Sequence, residues 1–122
     1  MSKAQWIKEN LKPGEEYAGL ILGKNGAADH HLVLLSGEAE AVNWADAKAF
    51  AKKAGGELPT RREQSLLYAN LQEQFKPAWY WSSEQHAARS DYAWSQDFSD
   101  GGQYYSLLNY RLRARAVRRI AI

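Results

Sequence analysis

The chain has 122 residues, 45% hydrophobic and 25% charged, a balance that fits one globular domain and fits a disordered chain poorly. Its formal net charge is +2 and it has no cysteine, which excludes disulfide staples, thiolate metal sites and cysteine nucleophiles. No run reaches membrane-spanning length and Met1 to Trp6 lacks a signal peptide's apolar core, so the protein is expected in a cytoplasm or in a particle released from one.

Trp6 to Asn10 reads as a short helix, ended by Pro13-Gly14. Tyr17 to Leu22 and His31 to Leu35 read as two strands of a hairpin, joined across Gly23-Lys24-Asn25-Gly26 by eight or nine residues. Asn43 is placed to cap a helix running to Ala54, with Asp46 three residues on. Trp44, Ala47, Ala51 and Ala54 share its apolar face, and Gly55-Gly56 ends it. Thr60 with Glu63 forms a capping-box pattern opening a second helix to Phe75, with Leu66, Leu67, Leu71 and Phe75 as its apolar face and Pro77 as its stop.

Strands follow from Trp79 onward. Trp79 to Ser83 is aromatic and β-prone, Tyr92 to Phe98 alternates, and Asp100-Gly101-Gly102 turns the chain into Gln103 to Leu107. A last strand from Tyr110 to Ile120 sets Arg111, Arg113 and Arg115 against Leu112, Ala114 and Ala116. The alternation breaks at Val117-Arg118, where a bulge or a change of neighbour is expected. The order of elements predicts an α+β domain.

The segment Gly55-Gly56-Glu57-Leu58-Pro59-Thr60-Arg61-Arg62-Glu63 resembles the Gly-Gly-x-Leu-Pro-Thr-x-x-Glu segment of C-type-lectin-like domains of bacteria and phages. Tyr80-Trp81-Ser82-Ser83, Ala93-Trp94 with Phe98-Ser99-Asp100-Gly101, and Arg115-Ala116-Val117-Arg118 resemble further segments in the same order, over roughly Val42 to Arg119. The family in view is the one typified by the C-terminal domain of the Legionella collagen-like adhesin, whose fold is shared with formylglycine-generating enzymes. The chain resembles its small phage-encoded members. That resemblance implies two helices flanking a mixed, mainly antiparallel sheet, with the terminal strands (Tyr17 to Leu22 and Arg113 to Ile120) paired side by side. It also implies that Trp81, Trp94 and Phe98 are core residues, and that a loop-rich region carries ligand contacts.

No enzyme chemistry is expected. Formylglycine generation acts through cysteines, and no Gly-x-Ser-x-Gly elbow occurs. His30 and His31 are adjacent on a strand and point to opposite faces, while His86 stands alone, so no metal site is expected. The calcium-ligand motifs of sugar-binding lectins are missing, and the spacing of Glu84, Asp91, Asp97 and Asp100 does not force them together. No cofactor is expected. What remains is a surface. Tyr92, Gln103, Tyr104, Tyr105, Asn109 and Tyr110 lie among small polar residues in the manner of an antibody paratope, with Arg111 and Arg113 at the margin. The expected function is a non-catalytic, phage- or prophage-encoded binding module for a protein or glycan. The alternative is an intracellular effector that engages nucleic acid or a host nucleic-acid-processing complex through Arg111, Arg113, Arg115, Arg118 and Arg119 beside aromatics.

Overall fold

Local capping chemistry sets the helices. In the computed structural model, which describes residues 2–122, Ser2 Oγ accepts from Gln5 N at 3.1 Å and opens α1 (Lys3–Asn10). Asn43 Oδ1 accepts from Asp46 N at 2.9 Å and opens α2 (Trp44–Lys53). Gly55 then takes φ +95°, in the left-handed region, and donates to Lys52 O while Gly56 donates to Ala51 O. This pair of bonds satisfies the last carbonyls of α2. The capping box at Thr60 and Glu63 forms in both directions, at 3.2 and 2.8 Å, and opens α3 (Arg61–Leu71). This helix does not run to Phe75. It breaks at Leu71 (φ −135°) into a 3-10 turn, Gln72–Gln74, which frees Phe75 to stack on Phe98 at 3.9 Å.

The strands are β1 (Glu16–Ile21), β2 (His30–Leu34), β3 (Ala39–Val42), β4 (Trp79–Gln85), β5 (Tyr92–Asp97), β6 (Gln103–Leu107), β7 (Leu112–Ala114) and β8 (Val117–Ala121). They make two sheets, ordered β1-β2-β8 and β3-β7-β4-β5-β6. All pairings are antiparallel except β4 with β7, which meet in parallel at Tyr80 and Arg113. The protein is thus α+β, with one antiparallel and one mixed sheet.

Three expectations need correction. The terminal strands are not direct neighbours: β2 lies between β1 and β8, pairing Leu34 with Val117 and His30 with Ala121. A strand as apolar as His31 to Leu35 is buried best at the centre of a three-stranded sheet, so it takes that place. The strand Tyr110 to Ile120 is two strands. Its first half joins the five-stranded sheet and its second half the three-stranded one, and the change of neighbour falls at Arg115-Ala116. One flanked sheet is therefore two, stitched by this switch.

Period-two alternation feeds a separate core on each side. Val33, Leu35, Trp81, Ala93, Ala114 and Ala116 pack with Trp44, Ala47 and Ala51 of α2. Leu32, Leu34, Tyr80, Phe98 and Val117 pack with Leu67 and Leu71 of α3. Trp81 and Phe98 are core, as the resemblance implied, whereas Trp94 is only half-buried and lies outside both clusters. No helix among the described residues is long and apolar enough to cross a membrane.

Candidate functional site

The register of β5 with β6 decides which tyrosines share a surface. Tyr92 opposes Leu107, Trp94 opposes Tyr105 and Gln96 opposes Gln103, so these six side chains occupy one face, the side on which α3 lies. Ser95 opposes Tyr104 on the other face. Tyr104 and Tyr105 are adjacent in sequence, and the pleat sends them to opposite sides.

On the α3 side a connected aromatic cluster forms. Tyr105, 44% exposed, stands edge-on to Trp94 at 5.3 Å, to His86 at 4.6 Å and to Tyr92 at 5.4 Å. His86 lies nearly parallel to Trp94, with centroids 5.2 Å apart. The turn between β4 and β5 holds that imidazole, because His86 Nδ1 accepts from Ala88 N and Arg89 N at 3.1 and 3.2 Å. The Arg61 guanidinium sits 3.6 Å over the Trp94 ring, and the Arg89 guanidinium lies 5.6 Å from Tyr92. The cluster is thus a rigid patch of rings with one exposed tyrosine at its centre and cations at its margin.

Gln103 is part of the scaffold beneath. Its Nε2 donates to Arg61 O at 2.7 Å and to Gln96 Oε1 at 2.8 Å, and its Oε1 accepts from Arg61 Nε at 3.1 Å. Glu84 Oε2 accepts from Arg61 N at 2.7 Å and covers the first N–H of α3.

The remaining expected site residues lie apart from the cluster. Tyr104, 41% exposed, stacks on Trp79 at 4.8 Å on the other face, with its ring over Gly102. Asn109 and Tyr110 are exposed in the turn before β7, and Arg111 is exposed beside them. Arg113 is an ion-pair residue, its Nη1 donating to Glu38 Oε2 at 2.6 Å. The surface expected from Tyr92 to Tyr110 therefore divides into three.

The arginine cluster is similarly dispersed. Arg115 donates to Gln74 O and Leu35 O, Arg118 pairs with Glu15, and Arg119 pairs with Glu63 and Glu57. Of the five arginines on which a nucleic-acid interface would rest, only Arg111 has no hydrogen-bond or ion-pair partner among the described residues. Glu63 is buried at 1% exposure. Burial alone would push its carboxyl up, but hydrogen bonds from Arg119, the Thr60 N–H and His30 hold it below the ordinary carboxylate range.

The other histidines and acids are used locally. His30 Nε2 contacts Glu63 and His31 Nδ1 contacts Tyr17 Oη, each at 2.8 Å, on opposite faces of β2. Asp97 and Asp100 brace the turn into β6 through Ser99 and Gly102. Among the described residues no three His, Cys, Asp or Glu side chains are grouped as a metal site would need.

Sequence reasoning missed Arg61, His86 and Arg89, and assigned Trp94 to the core. Trp94 was recoverable, because it lies two residues from Tyr92 on an alternating strand and so shares its face. Arg61 was not, since its approach depends on how α3 meets the sheet. Comparisons with protein-family models and with curated proteins return no match.

Proposed function

We propose that this protein is a non-catalytic binding module of C-type-lectin-like fold, encoded by a phage or prophage, that recognises a protein or glycan through the aromatic face of β5 and β6. The observation that carries the reading is the Tyr92–Trp94–Tyr105–His86 cluster, in which the most exposed ring is clamped edge-on by three others. Rings held this way lose little side-chain entropy when a ligand covers them, and they offer apolar area together with a hydroxyl. The order of the Gly55–Glu63, Tyr80–Ser83, Ala93–Gly101 and Arg115–Arg118 segments supports the family reading. Two helices packed on opposite sides of the sheets are in keeping with it.

A glycan array and a capture experiment with host-surface proteins, run with wild type and Tyr105→Ala, test the reading. The expected result is a ligand held by the wild type and weakened by about 1–2 kcal/mol in Tyr105→Ala, with a smaller loss of stability than Trp81→Ala causes. Equal binding by both proteins would remove the aromatic face from consideration.

A further inference from the structure

Arg61 differs from the arginines of the C-terminal strands in what its guanidinium leaves free. Arg113, Arg118 and Arg119 direct terminal nitrogens into carboxylates, and Arg115 directs them into carbonyls. Arg61 uses only Nε, which donates to Gln103 Oε1, while the plane of the group is carried on the Trp94 ring. Its two Nη atoms donate to no group among the described residues, and neither is fully buried, so both keep donors free for a further partner. The result is a planar donor fork fixed at one end by a hydrogen bond and on its underside by an indole.

Such a fork matches the two oxygens of a carboxylate, and its immobilisation removes most of the entropy normally lost when an arginine pairs. The Trp94 ring that carries the fork also packs against Tyr105, so the fork and the exposed phenol ring adjoin the same indole. Among the described residues the only carboxylate hydrogen-bonded to Arg61 is Glu84, and it is turned to the backbone N–H, leaving the side chain's fork open. An isolated inorganic anion would make no use of the adjacent rings. A long acidic peptide would call for a row of cations, whereas the face offers this one fork with Arg89 at its far edge.

We infer that Arg61 is the anion-recognising residue of this face, and that the ligand carries a carboxylate on a ring small enough to reach Tyr105: an acidic sugar. The inference rests on the aromatic face being the ligand site. The carboxylate pairs with the two Nη atoms of Arg61, and an apolar face of the pyranose covers Tyr105.

Nitrogen-edited NMR of the whole chain tests it, following the Trp94 indole N–H and the Arg61 Nε–H. Titrants are 3′-sialyllactose, neutral lactose and a hexaglutamate peptide. The expected result is a saturable shift of both signals with sialyllactose and an affinity for lactose lower by about ten-fold or more. Arg61→Lys, which keeps the charge but not the fork, should lose about ten-fold for sialyllactose and nothing for lactose. The comparison of the two sugars on wild type needs no variant to fold.

Equal affinity for the two sugars, unchanged binding by Arg61→Lys, tighter binding of hexaglutamate at the same signals, or no saturable shift with any titrant would each overturn the inference. An array ligand lost by Tyr105→Ala but retained by Arg61→Lys would sink the acidic-sugar assignment alone. Retention by both variants would sink the aromatic face as well.

Discussion

Two buried side chains show how single residues carry the domain. Trp81 is fully buried on the α2 side, and its indole Nε1 donates to Val42 O at 2.8 Å, so it fills the core and ties β4 to the end of β3. Trp81→Ala removes both, and a loss of about 3–5 kcal/mol is expected in chemical denaturation. A near-neutral result would place Trp81 outside the core. Glu63 is the opposite kind of residue, a buried carboxylate kept charged by Arg119, at 2.7 and 2.8 Å, and by the cap it forms. Its folded-state pKa lies below its unfolded one, near 4.3, so its contribution to stability is complete above that pH and is lost as pH falls through the folded value. Glu15 behaves alike: the Arg118 hydrogen bond comes first among the effects on its carboxyl, and the net shift is downward. Denaturation midpoints should therefore fall below about pH 4.3, and Glu63→Gln, though less stable at neutral pH, should show a shallower fall. An equally steep fall in Glu63→Gln would show that other carboxylates set the acid limit.

Residue-scale identity was legible wherever the argument was local. The Thr60–Glu63 cap forms as its spacing implied, while the burial of Trp81 and Phe98 was implied only by the resemblance. The arginines were not legible, because Arg118 meets Glu15 across 103 positions and Arg119 meets Glu63 across 56, separations that leave no local pattern. Tyr104 and Tyr105 read as one feature in composition but not under period two, which separates them onto opposite faces.

The helices follow from their ends. Thr60 Oγ1 satisfies the Glu63 N–H, and the same Glu63 carboxylate returns to Thr60 N. Thr60→Ala should cost about 1 kcal/mol in denaturation, while Thr60→Ser should cost a small fraction of that. A neutral Thr60→Ala would mean that the Glu63 N–H does not depend on the threonine hydroxyl. Gly56 has a different role: a Cβ there would run into the Val117 carbonyl, where the loop after α2 approaches β8, so this glycine is required by close approach. The strands were less legible than the helices. β3, spanning Ala39–Val42, gave no strand signal, since its alanines and Glu40 lack β-branched character and only pairing with β7 makes it a strand. The broken alternation at Val117-Arg118 lies just past the real event, since the chain passes from one sheet to the other at Arg115-Ala116 and Val117 already pairs with β2.

At the scale of the molecule, two helices cover opposite sides of two sheets, and the switch at Arg115-Ala116 lets one continuous segment serve both. α3 packs on the α3-side face through Leu67 and Leu71, and Arg61 at its start reaches Trp94, so the far end of that face, with Tyr105 and Tyr92, is left uncovered. The aromatic patch is thus the part of the five-stranded sheet beyond the reach of its own helix. The general class, α+β with a helix to each side, could be read from element order; the shape of the uncovered patch required the register of β5 with β6.

We propose that binding belongs to this one face. Isothermal titration of the ligand identified on the array, against Tyr105→Ala and Tyr104→Ala in parallel, tests it most directly, because the two residues are neighbours in sequence, nearly equal in exposure and on opposite faces. Tyr105→Ala should lose about five- to thirty-fold in affinity and Tyr104→Ala less than about two-fold. Equal losses, or a larger loss in Tyr104→Ala, would contradict the account and move the site to the Trp79–Tyr104 side of the sheet.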